Sequence, residues 1–488
     1  MTEPVIPEGI LSLDRSSDVS LSEQIYRGFR DAVRKGLLSS GTRLPSTRRL
    51  AAMLEVGRNT VNAAYDLLQA EGIIFVRTGA APRIMNGLPL EGMTHNRSST
   101  ARKRSLSKRG ILMSDNIRGV GWAFRHGVLQ PGAPALDCFP YEEWARCLRR
   151  AARLERSPDL QYQNYTGLPA LRQQLSRHLA AERGVRADPE QILVTSSMQS
   201  SLSLLAQALS DHGDEAWLEN PGYLGAKTAF HAAGLKIRPL PTDEDGADVA
   251  ATDISKSPSK LIYVTPSHHY PLGARMPLAR RLALLEAARA SGAVILEDDY
   301  DSEFLFAGRP VAALYGLAEE GQVIYLGTFS KSLMPGLRVA YCVVPNDLVQ
   351  PLTQLMRNMG CSANVQAQAA LAHFMDSGCY QKHLKQIRQI YRSRGEQLVD
   401  TLRSRLGNRI HVEIPTGNVQ VSIMFRERID DVRLAMDLQS HGFAVSPLSN
   451  CYLGSDAKSG LIIGFAGATP PQITKGVEIL GNLIEAVG

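Results

Sequence analysis

Lys331 follows a short apolar run in the segment LGTFSKSLMPGLR, residues 326–338. A hydroxyl side chain, Thr328, lies three residues before this lysine, and a guanidinium, Arg338, lies seven residues after it. A lysine amine can attack a carbonyl carbon, and a hydroxyl and a guanidinium beside it can hold a phosphate. An ordinary surface lysine is the competing interpretation. The polar motifs elsewhere in the chain help to choose between them.

An acidic segment, LEDDYDSEF (296–304), places Asp298 at the end of a predicted strand, 33 residues before Lys331. Asp298 is suited to keep a proton on a ring nitrogen, and Tyr300 to hydrogen-bond a ring hydroxyl. A protonated, electron-withdrawing ring is what a lysine Schiff base with pyridoxal phosphate requires. Acid pairs are more often solvated or capping, but here the combination favours a pyridoxal phosphate site.

Two further motifs supply what such a cofactor needs. TSSMQSSLSLL (195–205) is predicted to end a strand and open a helix, so that the backbone around Ser197, Met198 and Gln199 can receive phosphate. ENPGYLG (219–225) places Tyr223 after another strand, where its ring can stack on the cofactor ring. Each motif is weak alone, and together they predict a cofactor site.

Strands and helices that position these motifs alternate from about residue 119 onward. Helices are predicted at Met198–His212 and Leu278–Ser291, and this alternation indicates an α/β fold with a mostly parallel sheet covered by helices. The predicted strands are Gln191–Thr195, Ala216–Glu219, Leu261–Val264, Val294–Glu297, Val323–Gly327 and Val339–Val344.

The first quarter of the chain differs in both charge and pattern. Residues 1–110 carry 17 Lys+Arg against 10 Asp+Glu, whereas the rest carries 37 against 38. Amphipathic spacing predicts a helix over 20–37, a short helix after Ser46, a third helix ending at Gly72, and a hairpin over 73–85. This order is that of a winged helix-turn-helix, and its basic charge indicates a polyanionic partner.

The length of 488 residues predicts two or three domains. The six cysteines are scattered without CxxC pairs, a pattern typical of reduced thiols rather than of disulfides or a metal site. Neither an apolar run long enough for a membrane span nor a secretory signal is recognisable. We therefore expect a cytoplasmic protein without a membrane partner.

RLPSTRRLA (43–51), VGRNTVNAAYDLLQAEG (56–72) and the hairpin resemble GntR-type DNA-binding domains. The first turn of the third helix would enter the major groove, where a guanidinium can bind guanine. Ordinary solvated helix charge is the competing interpretation. The resemblance implies DNA contacts by Arg43, Ser46, Arg48, Arg58, Asn59, Thr60 and Gly79.

Over nearly the whole chain, the motifs resemble the MocR/GabR family, in which a GntR-type domain is fused to a fold-type I aminotransferase-like domain that binds pyridoxal phosphate. The resemblance implies a DNA-binding domain over 12–87, a basic flexible linker over 88–118 and an effector domain over 119–488. It also implies double-stranded operator DNA as a partner and a head-to-tail homodimer. Tyr162 would then reach the cofactor phosphate of the neighbouring subunit, although a packing role is equally open.

Several positions depart from the family pattern. Ile462 occupies the place of an arginine that pairs with a substrate carboxylate, and His269-Tyr270 and Leu272 replace Gln-Phe and Thr. Ser197 replaces a glycine in the phosphate loop. Because isoleucine cannot pair with a carboxylate, these changes disfavour transamination of α-amino acids. His268 and His269 are expected to serve structural or hydrogen-bonding roles.

Three functions compete. The favoured one is a transcriptional regulator whose large domain senses pyridoxal phosphate, or a related vitamer, without turnover, and which controls vitamin B6 or amino-acid related genes. The second is an active aminotransferase with an accessory DNA-binding domain. The third is a DNA-binding module with a large domain that only dimerises, and it requires the set Lys331, Asp298, Tyr300 and Arg338 to be accidental.

Overall fold

The computed structural model describes residues 10–77, 80–85, 105–115, 127–153, 164–252, 254, 258–306 and 311–487. The chain divides into two compact units, Met1–Ser105 and Leu106–Gly488. Within the described part of the chain, no helix combines the length and the apolar character that crossing a membrane requires.

The first unit is a three-helix domain with a small hairpin. Ser20 and Ser46 cap the first two helices, since their side chains accept hydrogen bonds from the backbone amides of Glu23 and Arg49. Its core contains Ile25, Phe29 and other apolar residues that the amphipathic spacing predicts. The elements are α1 Leu21–Arg34, α2 Thr47–Met53, α3 Arg58–Ala70, β1 Ile74–Phe75 and β2 Arg83–Ile84.

Glycines follow two of the three helices of this unit. Helix α1 is shorter than predicted, because Gly36, with φ +72°, follows its last turn. Gly72, with φ +70°, follows α3 as predicted. Strands β1 and β2 then pair antiparallel, with Ile74 opposite Ile84. The tip at Gly79 lies outside the described residues.

A helix, α4 (Lys108–Ser114), lies inside the range predicted as a linker. The side chain of Ser107 accepts a hydrogen bond from the backbone amide of Gly110 and so caps the helix. Helix α4 lies beside α8 (Leu224–Ala233), and the second unit starts at Leu106 rather than at the predicted residue 119. The apolar residues of this helix, Ile111 to Met113, are exposed, so the cap at Ser107 is its local signal.

The second unit contains an eight-stranded, mostly parallel sheet in the order β3-β10-β9-β8-β7-β4-β5-β6. Strand β10 is antiparallel to both of its neighbours, and β6 is antiparallel to β5. The α/β fold class is confirmed. The strands are β3 Ile192–Thr195, β4 Glu215–Asn220, β5 Lys236–Asp243, β6 Gly246–Ala247, β7 Ser259–Val264, β8 Val294–Asp299, β9 Val323–Thr328 and β10 Ala340–Val343.

Helices surround this sheet, and they bury apolar clusters against it. The predicted helix Leu278–Ser291 is confirmed, whereas Met198–Leu209 ends three residues before the predicted end. Besides α4 and α8, the α-helices of the unit are α5 Tyr141–Ala152, α6 Pro169–Arg183, α7 Met198–Leu209, α9 Leu278–Ser291, α10 Leu314–Leu317, α11 Asn346–Met359, α12 Val365–Asp376, α13 Cys379–Leu406, α14 Asp431–Ser440 and α15 Pro470–Val487.

A second, four-stranded sheet has the order β11-β12-β14-β13 and is antiparallel throughout. Ile462 lies at the centre of β14, opposite both Ser422 and Ser446. The strands are β11 Ile410–His411, β12 Gln420–Phe425, β13 Ser446–Pro447 and β14 Gly460–Gly464.

Candidate functional site

A cavity of about 750 Å³ lies in the second unit at the carboxyl ends of the parallel strands. Carboxyl ends of parallel strands meet at one edge of a sheet, where ligands of such folds commonly bind. Another wall comes from residues 130–134, from Leu136, and from the four-stranded sheet and the residues near it. The cavity brings together seven of the predicted cofactor residues: Met198, Tyr223, Asp298, Tyr300, Thr328, Lys331 and Arg338.

The amine of Lys331 points into this cavity. Its Nζ donates a hydrogen bond of 2.9 Å to the carbonyl oxygen of Gly132. Gly132 has φ +73°, and a Cβ atom at this position would collide with Nζ. A glycine at 132 therefore gives the lysine side chain its room and satisfies the backbone conformation.

Asp298 is the buried acid of the cavity, with 4% of its surface exposed. Its Oδ2 accepts a hydrogen bond of 2.6 Å from the Tyr263 hydroxyl, whereas Oδ1 is buried and has no hydrogen-bond partner. Burial raises the pKa of Asp298 to about 7, although the Tyr263 hydrogen bond opposes the rise. A buried acceptor of this kind is suited to a ligand that brings a donor or a positive charge.

The neighbouring acids point elsewhere, because side chains alternate along a strand. Asp299 forms a 2.6 Å ion pair with Arg183 and accepts a 2.8 Å hydrogen bond from Tyr325. Burial opposes ionisation of Asp299, but the charge of Arg183 holds its pKa below the usual range. Of this adjacent pair, only Asp298 lines the cavity.

Both predicted structural histidines are buried and hydrogen-bonded within the protein. His268 Nδ1 lies 2.8 Å from Asp301 Oδ1, and His269 Nε2 lies 3.0 Å from the carbonyl oxygen of Pro221. Burial lowers the pKa of His269 to about 4, so its ring is neutral at physiological pH. Neither histidine lines the large cavity.

Aromatic side chains form one wall of the cavity. The Tyr300 hydroxyl donates a 3.1 Å hydrogen bond to the carbonyl oxygen of His268. Tyr223 precedes α8; its ring stacks with that of Tyr263 at 6.3 Å and meets Tyr270 edge-on at 5.4 Å. These rings give the cavity an aromatic wall that can contact a planar ligand.

The phosphate-binding elements predicted from sequence are partly occupied by local contacts. Ser197 caps α7, since its Oγ accepts a 3.1 Å hydrogen bond from the amide of Ser200. Gln199 donates from Nε2 to the carbonyl oxygen of Gly225. Of the three residues predicted in this loop, only Met198 lines the cavity.

Arg338 and Thr328 line the same cavity as Lys331. The Thr328 hydroxyl lies 3.0 Å from the hydroxyl of Ser330. Arg338 is exposed and has φ +55°, a left-handed conformation that few residues other than glycine adopt. Strained backbone of this kind is commonly found at functional sites, and here it presents a guanidinium at the cavity.

In the first unit, most of the predicted DNA contacts that the structure describes are exposed. Arg58 and Asn59 are exposed in the first turn of α3, and Arg58 Nε donates to the hydroxyl of Thr47 at 3.4 Å. This bond orients a guanidinium at the amino end of the helix. The other described members are Arg43, Ser46 and Arg48, which are exposed, and Thr60, which is half-buried.

Sequence reasoning missed several residues of the cavity. Tyr263, the hydrogen-bond partner of Asp298, and Gly132, the partner of Lys331, are distant in sequence from the residues they contact. The turn sequence Gln130-Pro-Gly-Ala-Pro134 was the one local signal available. Tyr162, predicted to reach a neighbouring subunit, lies outside the described residues.

The residues present fit pyridoxal phosphate. The unpartnered Oδ1 of Asp298 matches a protonated ring nitrogen, and the amine of Lys331 opens into the same cavity. Aromatic rings and an exposed guanidinium are available for the ring plane and the phosphate. Each of these side chains is chemically compatible with the part of the cofactor that it would contact.

Comparison with known proteins defines the class. Residues 21–84 match the family of bacterial regulatory proteins, gntR family, and residues 132–480 match aminotransferase class I and II. The protein is therefore a GntR-type helix-turn-helix regulator joined to an aminotransferase-type domain.

The chain is 38% identical to the probable rhizopine catabolism regulatory protein MocR of Rhizobium meliloti, over 98% of this chain and 96% of that protein. It belongs to the MocR/GabR family of transcriptional regulators. It is also 30% identical to the pyridoxine biosynthesis transcriptional regulator PdxR of Corynebacterium glutamicum, over 93% of this chain and 94% of that protein.

A solved structure resembles the second unit. LysN, an α-aminoadipate aminotransferase from Thermus thermophilus complexed with N-(5'-phosphopyridoxyl)-L-leucine, has a TM-score of 0.69 and 27% identity. The match covers 78% of this chain and 97% of LysN. The resemblance to the fold-type I aminotransferase fold is thus confirmed.

Proposed function

We propose that the protein binds operator DNA through its first unit and pyridoxal phosphate in the cavity of its second unit, and that cofactor binding changes its affinity for DNA. The observation that carries this proposal is the buried Asp298, whose unpartnered oxygen faces the cavity that Lys331 enters. A buried acceptor without a partner is costly, and a bound cation or donor would offset that cost.

Each cavity residue has a role in this proposal. When bound, pyridoxal phosphate supplies an aldehyde carbon and an electron-withdrawing ring. Lys331 Nζ would hold the cofactor covalently, Asp298 would keep the proton on the ring nitrogen, and Tyr300 would hydrogen-bond the ring hydroxyl. Tyr223 would support the ring plane.

The phosphate is assigned to a second group of residues. Arg338 and Thr328 supply a guanidinium and a hydroxyl, and the amino end of α7 supplies backbone amides. This group comprises Ser197, Met198, Gln199, Thr328 and Arg338, with Tyr162 contributed by the partner in a head-to-tail homodimer.

For the DNA side, we propose that Arg58 and Asn59 read base edges in the major groove while neighbouring residues hold the backbone. The contact set is Arg43, Ser46, Arg48, Arg58, Asn59, Thr60 and Gly79. Its action on chromosomal DNA implies a cytoplasmic protein. The similarity to PdxR supports genes of vitamin B6 metabolism as candidate targets.

Binding of operator DNA by the cofactor-free and cofactor-loaded proteins, at one salt concentration, tests this function. A ligand shifts an equilibrium only by its differential affinity for two states, so the two affinities must differ by about 1–3 kcal/mol, a typical coupling energy. In Lys331→Ala the difference should shrink, while DNA binding without cofactor stays at the wild-type value.

Equal DNA affinities of the two wild-type forms would reduce the cofactor to a structural role and refute the sensor function. A matched control is Lys382→Ala, which removes an exposed lysine from α13. This variant should retain the full difference between the two forms.

Catalysis of α-amino-acid transamination is the weaker candidate. Ile462 is fully buried, and it packs with Leu448 and Cys451 in an apolar cluster where a carboxylate would find no charged partner. Incubation with proteinogenic amino acids should therefore give little conversion to pyridoxamine phosphate. Rapid and complete conversion would favour the enzyme.

A further inference from the structure

The large cavity is poor in charge. Among the described residues that line it, only Asp298, Lys331 and Arg338 carry ionisable acid, lysine or arginine side chains. The proposed function assigns all three to the cofactor. A second molecule in the cavity would then find no described cation that could pair with a carboxylate, and burying an unpaired carboxylate is costly.

The wall formed by the four-stranded sheet and the residues near it is instead lined by uncharged polar side chains. Gln420 lies at the start of β12, with 3% of its surface exposed, and its Nε2 is buried without a hydrogen-bond partner. This donor requires an acceptor that the described residues do not supply. The polar side chains of Gln130, Gln439, Ser446 and Asn450 line the same wall.

Beyond this wall the surroundings become apolar. Ile462 and Leu448 are fully buried, and they pack with Cys451 and Tyr270, which reach the cavity. Burial raises the pKa of the Cys451 thiol to about 12, so this side chain stays neutral as well. None of the described residues of this apolar cluster carries a positive charge.

We propose that the cavity accepts, beside the cofactor, a primary amine that carries hydroxyl groups and no carboxylate, and that Gln420 donates a hydrogen bond to one of these hydroxyls. This inference rests on the proposed function, because the amine is recognised at the carbon that Lys331 holds. Hydroxyl oxygens accept from amides without the desolvation cost of a carboxylate. The volume of about 750 Å³ leaves space for a small second molecule, since it lies in the upper part of the range of roughly 300–1,000 Å³ that is usual for ligand sites.

Binding of the amine involves one exchange. The nitrogen of the ligand forms a C=N bond to the cofactor carbon while the C=N bond to Lys331 Nζ breaks. The ligand enters as an ammonium ion, and Lys331 leaves as one, so protons and electrons balance without a further reactant. Lys331 Nζ can then donate again to the carbonyl oxygen of Gly132, which lies 2.9 Å away in this structure.

The test compares two amines that differ in one group. Serinol (2-amino-1,3-propanediol) and L-serine share the amine and one hydroxymethyl group, and the carboxylate of serine replaces the second. Each is titrated into the cofactor-loaded wild-type protein, with cofactor absorbance and operator affinity as readouts. We expect half-saturation by serinol at a concentration at least tenfold lower than by serine.

Two variants test whether Gln420 determines the preference for serinol over serine. Gln420→Arg places a cation at the wall and should shift the preference toward serine by at least tenfold. Gln354→Arg makes the same exchange on the exposed face of α11 and should leave the preference unchanged. If Gln420→Arg does not fold, the wild-type comparison of the two amines still decides the ligand class.

The outcomes separate the two proposals. Wild-type protein that fails to retain pyridoxal phosphate on Lys331, read by borohydride fixation before any amine is added, overturns both. Retained cofactor with serine binding as tightly as serinol, or with no response to either amine, overturns the ligand class and leaves the regulator intact.

Discussion

Replacing Asp298 with Asn should stabilise the cofactor-free protein at pH 8 while weakening its affinity for pyridoxal phosphate. The carboxyl group is buried and its pKa is raised from 3.8 to about 7. Between these pH values the folded state binds more protons than the unfolded state, so stability falls as pH rises and the loss is complete above about pH 7. Asparagine carries no charge to bury, and its Oδ1 can still accept the hydrogen bond from Tyr263.

The magnitude follows from the size of the shift. One pKa unit corresponds to about 1.4 kcal/mol, so ionisation of buried Asp298 costs about 2 kcal/mol at pH 5.5 and about 4 kcal/mol at pH 8. The amide of asparagine has its own desolvation cost of about 1–3 kcal/mol, which does not depend on pH. We therefore expect the difference in unfolding free energy between Asp298→Asn and the wild type to increase by about 2 kcal/mol from pH 5.5 to pH 8.

Urea unfolding of the cofactor-free proteins at the two pH values measures this gain. All three tryptophans of the chain follow residue 105, so tryptophan fluorescence reports on the second unit alone. The second readout is a titration with pyridoxal phosphate at pH 8. The asparagine side chain is neutral and cannot balance the positive charge on the ring nitrogen. The affinity of the variant should fall at least tenfold.

Asp400→Asn, on the exposed face of α13, is the matched control and should change neither quantity. If the Asp298→Asn gain is the same at pH 5.5 and pH 8, ionisation of a buried carboxylate is not its source. If cofactor affinity is unchanged, Asp298 does not face the ring nitrogen.

Three further outcomes are expected. Arg58→Ala should remove about 1–3 kcal/mol of specific operator binding without affecting cofactor binding, as measured by titration of labelled operator. Ser46→Ala, which removes the cap of α2, should destabilise the isolated folding transition of the first unit by about 1 kcal/mol in thermal unfolding followed by circular dichroism. Gly132→Ala should cost about 1–2 kcal/mol, because a non-glycine residue must adopt positive φ, and should lower the fraction of cofactor that borohydride fixes on Lys331. Unchanged binding, unfolding or fixation, respectively, would contradict these three expectations.

Local patterns predicted much of the fold. The strands β8 and β9 begin where the apolar runs at Val294 and Val323 begin, and α9 has its predicted bounds. Strand β5 escaped prediction, because Pro239 and Pro241 interrupt its pattern. Proline lacks an amide donor and is usually excluded from the interior of a sheet.

The candidate site was less accessible to sequence reasoning. Asp298 could be separated from Asp299 only through a resemblance, since both are acids on one strand, and the structure separates them by the alternation of side chains. The contact between Gly132 and Lys331 spans 199 positions, and no local signal encodes such a pairing. Propensities and periodicity describe neighbours along the chain, whereas a cavity is made by residues that folding brings together.

The walls of the cavity have a consequence for quality control of the protein. They extend along the chain from Gln130 to Cys451, and they include the ends of strands in both sheets of the second unit. No fragment of that unit can assemble the binding surface, so a cofactor that occupies it selects the completely folded unit and stabilises it by mass action. Vitamin supply would then set the lifetime of this regulator in the cell as well as its activity, because unfolded copies are the ones that proteases remove.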